Sequence, residues 1–71
     1  MSTNAATTLM PHQQRMVDEK AYEQEKLDKL EAFLATSIYS SFAPAEQSRL
    51  SRQYLVMQLF VQVLEERISA F

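Results

Sequence analysis

Between Leu50 and Phe71 the apolar residues fall on two faces of a single helix, and that doubling constrains everything else. Leu50, Tyr54, Met57, Val61, Leu64, Ile68 and Phe71 step by four and three in alternation, the seam of a helix packed lengthwise against another helix. Leu55, Val56, Leu59, Phe60 and Val63 lie off that seam and leave only a narrow polar strip of Ser51, Gln58, Gln62, Glu65 and Ser69. A helix that is apolar nearly all round must be buried nearly all round. At 1.5–3 kcal/mol per large apolar side chain, leaving the five extra residues in water forfeits about 8–15 kcal/mol, comparable to the whole stability of a small domain. One partner helix is therefore too little cover.

The chain has 71 residues, one domain of the size that rarely holds itself together without disulfides, metal or oligomerisation. Cysteine is absent and there is one histidine, which removes disulfides and any Cys/His zinc site and leaves oligomerisation. Seven basic against nine acidic residues, net −2, argue against a surface that coats duplex nucleic acid. A small anionic ligand held by a few local cations remains compatible with that balance. With no glycine anywhere, P-loops and dinucleotide fingerprints are excluded, so a phosphate must be held by side chains or a helix N-terminus. No run of 18 apolar residues and no secretory layout is present, so no membrane association is expected and a cytoplasmic location is the default.

In chain order, residues 1–9 read as a disordered leader and residues 10–71 as one helical-hairpin domain. Pro11 suits the first position of a helix, with Met10 a poor cap and Thr8 an alternative. From Pro11 to about Thr36 the composition is helical throughout, with Met16, Val17, Ala21, Leu27, Leu30, Phe33, Leu34 and Ile38 as its apolar positions. Its middle is weak, because the face that should be apolar offers Lys20, Ala21 and Gln24; either the partner helix compensates or the packing opens there. Asp18/Tyr22 and Glu25/Lys29 stand at i,i+4, the second a favourable ion pair. Ser and Thr break the pattern from Thr36 to Pro44, and Ile38, Tyr39 and Phe42 are expected to plug the end of the helix pair. A second helix runs from about Pro44 to Ala70, with Glu46 in its first turn. The predicted fold class is all-α: an antiparallel two-helix hairpin that assembles into a symmetric helical oligomer.

Chemistry-bearing groups are few. His12 stands alone in a first turn, the serines have no His/Asp partners, and no carboxylate pair is set apart, so an enzyme is not expected. The cations form two groups, Arg15, Lys20 and Lys26 on the first helix and Arg49, Arg52 and Arg67 on the second. Arg67 follows Val63 by four at the end of the second apolar stripe. It either pairs with Glu65, Glu66 or a carboxylate across an interface, or it binds an anion there. Of the tyrosines, Tyr54 belongs to the seam and Tyr22 does not, which leaves Tyr22 free to stack on a base.

The segment from Pro11 to Lys20 (PHQQRMVDEK), continued by Leu27, Leu30, Phe33 and Leu34 and closed by Leu64 to Phe71 (LEERISAF), resembles the small phage helical-hairpin domain shared by anti-CBASS and anti-Thoeris sponge proteins. Met10 stands where that pattern has a capping Ser or Thr. The resemblance implies a protein without catalytic activity, metal or cofactor, acting in the cytoplasm of an infected bacterial host. It implies a homo-oligomer whose inter-protomer pockets sequester a cyclic di- or trinucleotide, or a cyclic-ADP-ribose-type messenger. Carried onto this chain, it gives Lys20, Lys26 and Arg67 as phosphate contacts, with Gln13 and His12 near the helix start; Arg15 and Tyr22, a cation and a ring of the same helix, complete the candidate ligand-binding residues. Two rivals stand beside it. A helical adaptor would dock another protein through the spare apolar stripe, and a dimeric four-helix bundle would bind structured RNA, against the acidic balance.

Overall fold

The computed structural model describes residues 8–71; the leader expected over residues 1–9 lies outside them except for Thr8 and Leu9. The chain forms an antiparallel hairpin of two long helices, α1 (Pro11–Leu34) and α3 (Pro44–Ser69), joined through a one-turn helix, α2 (Ser37–Ser40). Among the described residues there is no strand. Met10, rather than Thr8, is the N-cap of α1. Its side chain cannot cap, and compensation comes from Gln13, whose Oε1 accepts the Met10 N–H at 2.9 Å; Pro11 at the first position has no N–H to satisfy.

A single hydroxyl ends α1 and begins α2. Thr36 Oγ1 donates to the Phe33 carbonyl at 2.7 Å and accepts the Tyr39 N–H at 3.3 Å. The turn is then tied to α3 by Gln47, whose amide donates to the carbonyls of Ser40 (3.1 Å) and Phe42 (2.8 Å). Tyr39 reciprocates by donating its phenol O–H to the Gln47 carbonyl at 3.1 Å. Beneath these bonds, Phe33 meets Tyr39 edge-on at 6.4 Å and Phe42 at 5.8 Å between centroids. Tyr39 and Phe42 thus close the end of the hairpin as expected. Ile38 does not: it is 57% exposed, because a one-turn helix can bring only part of its circumference onto the pair.

The core is small. Among the described residues only Leu27 of α1 and Val61 and Leu64 of α3 are buried, with Leu50, Tyr54, Met57 and Ile68 half-covered along the same seam. Phe71 falls past the end of α3 and is exposed, and so is Ala21. At the weak middle of α1 the two long helices are bridged at the surface, where Lys20 Nζ reaches Glu65 of α3 at 3.5 Å. Such a partly exposed ion pair contributes at most about 1 kcal/mol and chiefly sets register. The Glu25–Lys29 pair forms at 3.4 Å, whereas Asp18 accepts from the Gln14 amide at 2.9 Å instead of meeting Tyr22. No helix among the described residues is long and apolar enough to cross a membrane.

Candidate functional site

Two flanks run along the hairpin beside its seam, and they differ in charge. Both polar contacts that cross between the long helices, Lys20–Glu65 and the 3.3 Å bond from the Tyr54 O–H to Glu31, lie on one flank. At 100° per residue the same side takes Asp28, Ala32 and Ala35 from α1, which with Glu31 line a shallow depression of about 420 Å³. Loss of water on the seam, followed by the charges of Glu31 and Asp28, raises the Tyr54 phenol above its ordinary pKa. With the carboxylates of Asp28 and Glu31 in its lining, the depression is acidic and disfavours a phosphate.

The opposite flank carries Arg15, Lys26 and Arg67, with Glu19 and Glu23 interspersed. In an antiparallel pair, turning the same way from the seam on each helix leads to the same side. Arg15, Tyr22 and Lys26 on α1 and Phe60 and Arg67 on α3 therefore share it. Lys26 Nζ sits 5.0 Å from the centre of the Tyr22 ring, a cation–π contact, and lies 3.6 Å from Glu23. Tyr22 is 61% exposed, with Lys26 over one face of its ring. The Lys20–Glu65 contact sets the register of the helices and puts Arg15 at the same end of the hairpin as Arg67.

Ion pairs sort the seven Lys and Arg residues further. Lys20, Lys26, Lys29 and Arg49 each have a carboxylate, whereas Arg15, Arg52 and Arg67 have none among the described residues. Arg67 makes no pair with Glu65 or Glu66, although its place in the last turn of α3 suits the helix dipole. Of the candidate ligand-binding residues, Arg15, Tyr22, Lys26 and Arg67 thus lie along one flank, Arg15 and Lys26 about 16 Å apart along α1, with exposed His12 one turn before Arg15. Gln13 is engaged by the Met10 backbone and Lys20 by Glu65. Sequence reasoning did not single out Arg52, and its only signal is its place on the outward stripe. No group of three or more His, Cys, Asp or Glu residues among those described is arranged to hold a metal ion.

Beyond these flanks, the outward side of α3 exposes Leu55, Val56, Leu59 and Val63 at 48–65% and Phe60 at 39%. The molecule is thus a helical hairpin with Arg15, Lys26 and Arg67 along one flank and an uncovered apolar back. The family model described as Sequestin matches residues 10–70, and the chain belongs to the Sequestin family. That membership agrees with the likeness to phage sponge proteins drawn from the PHQQR and ERISAF segments. No curated protein and no solved structure matches the chain.

Proposed function

We propose that this chain is a phage immune-evasion sponge, which captures a cyclic di- or trinucleotide or a cyclic-ADP-ribose-type second messenger in the bacterial host cytoplasm and leaves it intact. The observation that carries this reading is the grouping of Arg15, Tyr22, Lys26 and Arg67 on one flank of a chain whose family name denotes sequestration. Arg15 and Arg67, without an ion-pair partner among the described residues, contact phosphates; Lys26 joins them by leaving Glu23, and the exposed Tyr22 ring stacks on a base. His12 and Gln13 lie at the edge of the contact, and Lys20 reaches a phosphate only by giving up Glu65. Turnover is not part of the proposal, which gives no side chain a nucleophilic or acid–base role.

Energetics require more than one copy. Nanomolar capture needs about −12 kcal/mol. A stacked base supplies about 1–3 kcal/mol and a charge-assisted hydrogen bond about 1.5–3, with ordering costs subtracted. One open flank cannot enclose a ligand, and a pocket shared between protomers can. In this reading the chain works as a homo-oligomer held through the apolar back of α3.

Titration calorimetry with cyclic di- and trinucleotides and cyclic-ADP-ribose isomers tests the proposal. Heat with at least one ligand, recovered unchanged by chromatography, is the expected result; no heat with any of them, from folded and assembled protein, overturns it. The uncovered stripe also favours a second reading, a helical adaptor that docks another protein there. That reading wins if the purified chain is monomeric and a protein partner, not a nucleotide, raises its melting temperature.

A further inference from the structure

The outward stripe of α3 is flanked by opposite charges at equal distances. Leu59 lies at its middle; Arg52 stands seven residues before it and Glu66 seven residues after. Seven residues are nearly two full turns, so the three fall almost in line, with each charge about 10.5 Å from Leu59 along the axis. Arg52 has no carboxylate partner among the described residues, and Glu66 receives only the Gln62 amide at 3.4 Å. Leu55 and Val63 also lie at equal distances from Leu59, four residues before and after.

From this symmetry we infer that the back of α3 docks on α3 of a second copy, antiparallel, with the two-fold axis passing at Leu59. Each residue then faces the one equally far on the other side of the centre. Leu59 meets Leu59 of the partner subunit, Leu55 meets Val63 of the partner subunit, and Arg52 meets Glu66 of the partner subunit at both ends. A parallel pairing of the same stripes sets Arg52 against Arg52 and Glu66 against Glu66, so charge selects the antiparallel arrangement. The ion pairs are exposed and act on orientation more than on affinity, which comes from the apolar residues between them. Because this axis runs across the helices, it brings both Arg67-bearing flanks to the same side of the dimer.

The inference rests on the self-association in the function proposed above and not on any ligand. The chain has no cysteine, so a single introduced one reports cleanly. Leu59→Cys should oxidise to a covalent dimer nearly completely, and Leu55→Cys should cross-link to Val63→Cys when the two variants are mixed, with Leu55→Cys alone far less reactive. Arg52→Glu and Glu66→Arg should each raise the dissociation constant by about tenfold at low salt, and the double swap should restore it. All these positions are exposed, and circular dichroism will verify that each variant keeps its helices. Wild-type protein that assembles while Leu59→Cys fails to cross-link, or a double swap that fails to restore, overturns this interface and leaves self-association standing. Wild-type protein that sediments as a monomer overturns both. Calorimetry decides the ligand separately.

Discussion

The inner and outer faces of α3 are made of similar residues and have opposite fates. Val61 and Leu64 turn onto α1 and are buried, whereas Leu55, Val56, Leu59 and Val63, equally apolar, stand in solvent. The difference teaches that in a hairpin this small hydrophobicity says how much surface must be covered but not by what. The inner face makes the fold, and the outer one is left uncovered.

Substitutions separate those two roles. The largest effect is expected at Leu64, only 1% exposed: Leu64→Ala should destabilise the hairpin by about 2–5 kcal/mol, read from urea unfolding. Loss of less than about 1 kcal/mol would show that the seam is not the main source of stability. Leu55→Asp, on the outer face, should preserve the helical signal of the hairpin and shift its sedimentation toward a single subunit. If that variant unfolds instead, the outer face is part of the fold and the contrast between the faces fails.

Arg67→Ala should weaken ligand capture by about 1.5–3 kcal/mol, roughly a tenfold to hundredfold loss of affinity in calorimetry, without dissolving the assembly. Loss of assembly in that variant would make Arg67 a structural ion-pair partner instead. The smallest effect belongs to the turn. Thr36→Ala removes the hydroxyl shared by α1 and α2 and should cost about 1 kcal/mol in thermal unfolding, with capture unchanged.

Much of this was legible from local pattern. The spacing of Leu50, Tyr54, Met57, Val61, Leu64 and Ile68 gives the second helix and its inward seam, and Pro11 and Pro44 mark both long-helix starts. Ser and Thr after Leu34 mark the break between the helices. Arg15, Lys26 and Arg67 could be chosen as cations from the chain alone. That they share a flank with Tyr22, and that Lys20 is taken up by Glu65, depends on how two helices distant in sequence are registered. Ile38 misled for the same reason, since its apolar character says nothing of which way a one-turn helix points.

By itself, then, the amino-acid sequence determined two helices, their break and an excess of apolar surface, because periodicity, proline and Ser/Thr capping act within a few residues of one another. Only the tertiary structure decided which apolar face turned inward, which cations kept their charge unpaired and which flank became acidic. Those outcomes depend on the rotation and register of one long helix against the other, and they are set by contacts such as Lys20–Glu65 and Tyr54–Glu31 between residues far apart in the chain.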